Sequence, residues 1–251
     1  MENQNRVVIA TTTFNRTSSE LRAQLALKTV RQADFYGYPI VVVDDSPVPE
    51  VGEMFADSRA LVEKQKEPGM GASRRQCFRS ALALGAEVVV WMEPEKWTLV
   101  EHLSHCVDPV LWGKCDIVMP RRENLDSYPD YQHWSELRAI WEIAGITGRG
   151  DIDWMFGPRV WNRRAMELFL QYDGKSGPDN WEILVVPFIW AFKGDYRVLS
   201  ITVPYKHPEE QTATEGGSEW NPKRDKQRID LVSVMRTEAK RLGFEGGMRY
   251  S

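Results

Sequence analysis

The chain has 251 residues, of which 42% are hydrophobic, and 32 Lys and Arg against 36 Asp and Glu give a formal net charge of −4. This composition is typical of a soluble globular protein with enough chain for one large core. The slight acidic excess excludes a strongly basic surface, so nucleic acid is not expected as a partner. Three cysteines without a CxxC pair argue against a disulfide framework and a zinc knuckle.

No basic segment followed by an apolar stretch opens the sequence, and no later run reaches the ~20 apolar residues of a membrane span. We therefore expect a cytoplasmic protein without a membrane span. The ten tryptophans are an unusual feature, and all of them follow residue 90. This asymmetry predicts different roles for the two halves of the chain.

The first half alternates short apolar runs with helical patterns. A capping box formed by Thr17 and Glu20 predicts the start of the first helix, which should end near residue 34. Further helices are predicted over 71–84 and 99–110, and strands over 7–12, 40–43, 60–63, 87–92 and 116–119. Strands that alternate with helices indicate an α/β fold with a mostly parallel sheet flanked by helices.

The second half has a less regular pattern. Helices are predicted over 162–172 and 179–192, with Pro187 kinking or shortening the second, and a strand over 196–203. A polar stretch after residue 205 predicts a loop before a last helix over 225–242. No Pro/Gly/Ser linker divides the chain, so we expect a single domain over 1–251 with two lobes, 1–120 and 121–251.

Polar loops follow four of the predicted strands: TTTFNR at 11–16, DDSP at 44–47, MEPEK at 92–96 and PRRE at 120–123. The carboxyl ends of parallel strands meet at one edge of a sheet, where ligands bind. Hydroxyls, carboxylates and arginines together suit a ribose, a diphosphate and a divalent metal. No GxGxxG follows the first strand and no GxxxxGK[ST] occurs, which argues against an NAD enzyme and a P-loop NTPase.

The order of these pieces resembles family 2 glycosyltransferases. The chain is similar to the GT-A (Rossmann-like) fold from Val7 to about Glu95. The resemblance rests on four motifs: a first strand ending in T-x-x-N-R, a second ending in VVDDS, a helix start rich in Gly, Ala and Arg, and a strand ending in acid-x-acid. The resemblance implies transfer of a sugar from a nucleoside-diphosphate sugar, such as a UDP- or GDP-sugar, to the hydroxyl of a small-molecule or glycan acceptor. It divides the chain into a nucleotide-sugar-binding lobe and an acceptor lobe with a C-terminal lid.

The resemblance also implies roles for single residues in the first lobe. The residues implied to bind the donor are Thr11, Arg16, Asp44, Asp45, Arg74 and Arg75. The family's Asp-x-Asp, which holds Mn²⁺ or Mg²⁺ against the donor phosphates, is here Glu93 and Glu95. Glutamate is also a hard oxygen ligand, but its longer side chain moves the ion or requires a wider site. With Lys96 beside the pair as a further donor contact, either metal binding is altered or metal dependence is reduced.

The region after the last predicted strand resembles mannosylglycerate synthase-type enzymes. There the resemblance implies His207 as a further metal ligand and a lid hinged at Gly216 and Gly217. Lys223 and Arg224 would bring positive charge to the diphosphate.

Two carboxylates in the second lobe are candidates for catalysis. Asp179 best fits the base that takes a proton from the acceptor, and Glu182 follows three residues later. In the competing interpretation, Asp179 is the N-cap of a helix and Glu182 is its capping-box partner. Asp153, Trp154 and Trp181 are predicted acceptor contacts.

Family 2 resemblance favours inversion at the anomeric carbon, whereas the mannosylglycerate synthase-like element leaves retention open. The alternatives are a sugar nucleotidyltransferase and a non-catalytic protein that binds a sugar nucleotide or glycan.

Overall fold

The computed structural model describes residues 6–174 and 179–243. Its described strands form one seven-stranded sheet in the order β3-β2-β1-β4-β6-β5-β7. The strands are β1 Val7–Thr13, β2 Ile40–Asp44, β3 Leu61–Lys64, β4 Val88–Trp91, β5 Ile117–Arg122, β6 Arg159–Asn162 and β7 Val198–Val203. All neighbours pair in parallel except β6, which is antiparallel to both β4 and β5.

Helices cover both faces of this sheet. They are α1 Leu21–Phe35, α2 Pro49–Glu53, α3 Met70–Ala83, α4 Leu103–Leu111, α5 Asp130–Thr147, α6 Arg163–Gln171, α7 Val186–Lys193, α8 Glu209–Glu215 and α9 Asn221–Arg241. Short 3-10 segments occupy Trp97–His102, Trp181–Leu184 and Ser218–Trp220. Among the described residues, no helix is both long enough and apolar enough to cross a membrane.

The core consists of two clusters, one on each face of the sheet. Val8 and Val41 point into one cluster, and Ile9 and Val42 point into the other. Successive side chains of a strand alternate between faces, so a strand that is apolar at every position must be covered on both sides. The predicted single-domain α/β fold is thereby confirmed, whereas a division into lobes at residue 120 stays a prediction.

Two local predictions about helix starts were wrong. The helix after β1 begins at Leu21, and no side chain caps it; the Glu20 carboxylate accepts a hydrogen bond from the amide of Arg16 at 2.8 Å instead. The stretch 179–192 is a 3-10 turn followed by α7 rather than one helix, although the shortening predicted from Pro187 is confirmed. Pro187 lies in the first turn of α7, where its missing N–H removes no helical hydrogen bond.

Some elements had no sequence prediction, and the last two helices differ from theirs. The 18-residue helix α5 packs along α9, and the short strand β6 inserts between β4 and β5. Helix α8 lies within the stretch that was predicted to be a loop, and α9 begins at Asn221 rather than at residue 225. Gly177 and Pro178, which precede the candidate base in sequence, lie outside the described residues.

Candidate active site

A cleft with a volume of about 150 Å³, partly open to solvent, lies at the carboxyl end of β4. Its lining comes from the first turn of α1, the segment after β4, α5, the segment before β6, the turn at Trp181–Leu184, and the C-terminal region from His207 to α9. The topology explains this gathering, because β1, β4, β5 and β7 all run in one direction and end at the same edge of the sheet.

The acid-x-acid pair lies in this cleft directly after β4. Glu93 lies so close to the backbone at Gly157 that a Cβ there would come within 1.6 Å of its Oε1. Its Oε2 is buried and has no hydrogen-bond partner among the described residues. Glu95 is buried and its Oε1 lies 3.9 Å from Nη1 of Arg22 on α1. A carboxylate with an unpaired buried oxygen is open to a cationic ligand.

His207 also lines the cleft, after the end of β7. Its ring stacks on that of Tyr128 with centroids 4.2 Å apart, and its backbone amide donates to Oγ of Ser127 at 2.9 Å. Neither ring nitrogen has a hydrogen-bond partner among the described residues. Burial and the nearby Lys96 ammonium lower the pKa of His207 to about 2, so the ring is neutral and can donate a lone pair to a metal.

The chemistry of these donors fits a divalent cation. Carboxylate oxygens and a neutral imidazole are ligands for Mn²⁺, and Glu93 and His207 both have buried donor atoms without partners. In the described part of the chain, however, no three His, Cys, Asp or Glu side chains stand close enough together to hold an ion. Glu93, Glu95 and His207 thus share one cleft but do not form a ready-made cluster.

A second ionic group joins three helices at the cleft. The buried carboxylate of Glu215 on α8 accepts hydrogen bonds from Arg22 on α1 at 2.6 Å and from Arg224 on α9 at 2.7 Å. The side-chain amide of Gln211 donates a third at 3.1 Å. Burial alone would raise the pKa of Glu215, but these partners lower it to about 2. Glu215 therefore holds both arginines at the cleft.

Lys96 is a buried cation within the same cleft, and only 8% of it is exposed. Its Nζ lies 3.3 Å from the hydroxyl of Tyr128 and within 5.6 Å of the ring centroids of Tyr128, Phe156 and Tyr205. Burial alone would lower the pKa of Lys96, but the two tyrosines and the acid pair raise it well above its ordinary value. Lys96 is therefore charged at neutral pH.

The predicted donor residues at the carboxyl ends of β1 and β2 lie outside this cleft. Asp44 is buried, and its Oδ1 accepts hydrogen bonds from Thr13 Oγ1 at 2.8 Å and Ser46 Oγ at 2.6 Å. Asp45 and Arg16 are exposed. Thr11 is buried, and its hydroxyl has no partner in the described part of the chain. These residues lie at the same edge of the sheet as the cleft, and their donor role stays a prediction.

Arg74 and Arg75 both point toward the segment that contains the candidate base. Arg74 is buried, with its guanidinium 5.0 Å from the ring of Trp91 and 5.1 Å from that of Trp181, and burial lowers its pKa to about 10. Arg75 makes two hydrogen bonds, at 2.8 and 2.7 Å, to the carboxylate of Asp179. Both arginines thus have protein partners in this structure.

The two candidate catalytic carboxylates do not line the cleft. Asp179 is paired with Arg75, whereas Glu182 is buried and its Oε1 has no partner among the described residues. Their neighbours Trp181, Leu184 and Val185 do line the cleft. The turn therefore borders the cleft, and a catalytic role for either carboxylate stays a prediction.

The predicted acceptor residues differ in what they contact. Asp153 is buried and makes a two-point ion pair with Arg122, at 2.6 and 2.8 Å, while Arg122 also donates to Glu136 at 2.6 Å. Trp154 is buried and lines the cleft, and Trp181 lines it with 38% of its surface exposed. Trp154 and Trp181 thus line the cleft and Asp153 does not, and an acceptor role for any of the three stays a prediction.

Sequence reasoning missed several lining residues: Arg22, Tyr128, Gln132, Glu136, Gln211 and Glu215. Arg159, which is buried and lines the cleft, was not among the predicted site residues either. The available signals were weak, because a single arginine in a first helical turn or a glutamate in a polar stretch is common on protein surfaces.

A scan against protein-family models finds no match, and a search of curated proteins finds no significant sequence match. Comparison with solved structures finds the glucosyl-3-phosphoglycerate synthase of Mycobacterium tuberculosis. Its complex with phosphoglyceric acid gives a TM-score of 0.62 at 14% identity over 93% of this chain and 80% of that one. Its complex with Mn²⁺, UDP-glucose and phosphoglyceric acid gives a TM-score of 0.61 at 14% identity over 91% of this chain and 79% of that one. The complex with Mn²⁺, UDP and glucosyl-3-phosphoglycerate gives a TM-score of 0.53 at 15% identity over 88% of this chain and 79% of that one. The chain therefore has the fold of a GT-A-type glycosyltransferase.

Proposed function

We propose that this protein is a glycosyltransferase that moves a sugar from a nucleoside-diphosphate sugar to the hydroxyl of a small acceptor. The observation that carries the proposal is the cleft itself. An acid pair, a neutral histidine and several cations meet there at the carboxyl edge of a GT-A-type sheet. Solved proteins with this fold include an enzyme that binds UDP-glucose and Mn²⁺, which supports a UDP-sugar as the first donor to test.

The charges of the cleft support a diphosphate ligand. Five cationic side chains line it, against the four carboxylates of Glu93, Glu95, Glu136 and Glu215; the cations are Arg22, Lys96, Arg159, Lys223 and Arg224. The excess is one positive charge in a chain whose formal net charge is −4. Guanidinium groups suit phosphate because their N–H donors match its oxygens in pairs.

Glu93, Glu95 and His207 would hold the divalent cation in this proposal. When bound, the cation supplies counter-charge to the departing diphosphate. The remaining counter-charge comes from the chain, with Arg22 and Arg224 held at the cleft by Glu215.

In the transfer, the acceptor oxygen forms a bond to the anomeric carbon and the bond from that carbon to the diphosphate breaks. The electron pair leaves with the diphosphate, and the acceptor proton passes to a carboxylate. We propose Asp179 for that carboxylate, with Glu182 as the neighbouring candidate, and inversion of configuration as the outcome. Comparing the anomeric NMR coupling of donor and product distinguishes inversion from retention.

The acceptor is proposed to lie against Trp154 and Trp181. Flat indole rings can stack on a sugar or pack against an apolar acceptor. The comparison enzyme binds phosphoglyceric acid, which supports a small anionic molecule as the first acceptor to test. The cations of the cleft are compatible with such a charge.

The proposal is tested with UDP, GDP, CDP and dTDP, each with and without Mn²⁺, in thermal unfolding, followed by hydrolysis of the corresponding sugar nucleotides. At least one nucleotide is expected to raise the unfolding temperature, as ligand linkage requires. Glu93→Gln should reduce the part of that shift that depends on Mn²⁺, whereas Glu63→Gln on β3, outside the cleft, should leave the whole shift unchanged.

Other outcomes would replace the proposal. Binding without release of nucleotide from any donor would indicate a binding protein. Formation of pyrophosphate from a nucleoside triphosphate and a sugar 1-phosphate would indicate a nucleotidyltransferase. No shift with any nucleotide would contradict the proposal altogether.

A further inference from the structure

The ammonium of Lys96 lies in a cage of three aromatic rings inside the candidate active site. The ring centroids of Tyr128, Phe156 and Tyr205 are 5.6, 5.6 and 5.2 Å from its Nζ. Aromatic cages of this kind can recognise the cation of a ligand. Here the cation belongs to the chain, and it remains at the cleft surface.

The cage lies among the predicted metal ligands. Lys96 directly follows Glu95, and its amide donates to the carbonyl of Glu93 at 3.1 Å. On the other side, the Tyr128 ring that contacts the ammonium also stacks on His207 at 4.2 Å. Lys96 is thus tied to the segment of the acid pair through its backbone, and its ammonium contacts Tyr128, which in turn stacks on the predicted histidine ligand.

The acid pair has a second cationic neighbour in the chain. Nη1 of Arg22 is 3.9 Å from Oε1 of Glu95. Arg22 thus lies beside one carboxylate, and the deeply buried Lys96 ammonium is within electrostatic reach of both. A buried ammonium is costly unless carboxylates compensate it, so Lys96 and the acid pair depend on each other. Each fixed cation also repels an incoming divalent ion and attracts a diphosphate.

We propose that Lys96 is a built-in counter-charge that takes over part of the metal's task, so that nucleoside diphosphates bind this cleft with little dependence on a divalent cation. The proposal rests on the proposed function for the identity of the ligand. It assigns the longer Glu-Pro-Glu pair a specific role. The main role of the pair is to compensate the charge of Lys96, and binding a metal ion is its lesser role.

Lys96→Met is the decisive variant, because methionine is apolar, unbranched and makes favourable contacts with aromatic rings. The control is Lys114→Met, which removes an ammonium 4.8 Å from the ring of Trp112, outside the cleft. Circular dichroism and thermal unfolding verify that both variants are folded. Two quantities are then measured by titration calorimetry: Mn²⁺ binding without nucleotide, and UDP and GDP binding in EDTA.

The wild-type protein and Lys114→Met are expected to bind at least one nucleotide in EDTA, with a Kd within about tenfold of its value in Mn²⁺. Lys96→Met should weaken that metal-free binding by about tenfold or more and strengthen Mn²⁺ binding by a similar factor, because one repulsive charge is removed.

A wild-type protein that binds nucleotide only with Mn²⁺ would overturn this inference and leave the glycosyltransferase proposal standing. Unchanged Mn²⁺ and metal-free nucleotide affinities in Lys96→Met would do the same. Absence of nucleotide binding under every condition would overturn both.

Discussion

The guanidinium of Arg75 on α3 and the carboxylate of Asp179 form a two-point ion pair, with N···O distances of 2.8 and 2.7 Å. Asp179 has a φ of 58°, in the left-handed region. The amide of Gly71 donates to the Asp179 carbonyl at 2.9 Å, and a Cβ at Gly71 would lie 1.9 Å from its Oδ1. The candidate base is thus held by a charge, a backbone hydrogen bond and a close approach that requires glycine.

A double-mutant cycle measures how strongly this pair is coupled. Arg75→Ala and Asp179→Ala should each lower the free energy of unfolding by about 1–3 kcal/mol, with a coupling energy of about 1–2 kcal/mol, because paired hydrogen bonds between charged groups are strong when partly buried. Urea unfolding of the single and double variants gives these values. Additive losses would show that the two side chains do not act together.

Gly157→Ala should impair the cleft without unfolding the protein. A Cβ at this position would lie 1.6 Å from Oε1 of Glu93, so the flexible carboxylate must move away. We expect nucleotide and Mn²⁺ affinities to fall by about tenfold, while stability changes by about 1 kcal/mol or less. Titration calorimetry and urea unfolding test the two expectations.

The matched control for this variant is Gly150→Ala, where an added Cβ meets no heavy atom within 4 Å. It should bind as the wild-type protein does. Wild-type affinities in Gly157→Ala would contradict the role given to the position of Glu93.

Asp153→Ala and Asp151→Ala compare two aspartates of one D-x-D sequence. Asp153 pairs with Arg122, whose side chain is 1% exposed, whereas the Asp151 side chain in its pair with Arg149 is 48% exposed. Loss of Asp153 leaves a buried charge without its main partner and should cost about 3–5 kcal/mol. Loss of Asp151 should cost about 1 kcal/mol or less.

Urea unfolding of both variants provides the measurement. Equal effects would show that Arg122 does not depend on Asp153. A stable Asp153→Ala protein that fails only in acceptor use would support the acceptor role predicted from sequence.

The Glu215 carboxylate should make stability dependent on acidic pH. Its pKa is lowered from 4.5 to about 2 by Arg22 and its other partners, which outweigh the opposite effect of burial. Its contribution is therefore complete above about pH 4.5 and lost as the pH falls toward 2; at neutral pH it amounts to roughly 3 kcal/mol. The stability difference between wild-type and Glu215→Gln proteins should shrink between pH 5 and pH 3.

The control for this pH series is Glu209→Gln, an exposed residue of the same helix. Its stability difference from the wild-type protein should stay small throughout. A difference for Glu215→Gln that does not change with pH would contradict the ionic role of this carboxylate.

The most accurate predictions from the sequence were the strands indicated by apolar runs. The strands at Val7–Thr13 and Ile40–Asp44 were predicted to within one residue, because both faces of such strands are buried and every position must be apolar. The capping box at Thr17 failed for the opposite reason. Its side chains have competing local partners, and the hydrogen bond from Arg16 to Glu20 displaced the predicted cap.

Long-range pairing decided the remaining elements. β6 contains an arginine and only four residues, and it becomes a strand because β4 and β5 offer hydrogen bonds on both sides. α5 acquires its partner only when α9 packs along it. Such short or mixed segments lack a periodic pattern strong enough to identify them alone.

By itself, the sequence determined the α/β fold class and the acid-x-acid pair at a strand end, since both depend on local runs of residues. It also located His207 and the two basic residues Lys223 and Arg224, which the structure brings to the same cleft. The tertiary structure decided the partners: Arg75 for Asp179, Arg122 for Asp153, and an aromatic cage for Lys96. Charge, burial and hydrogen bonding depend on residues distant in the chain, and only folding brings those residues together.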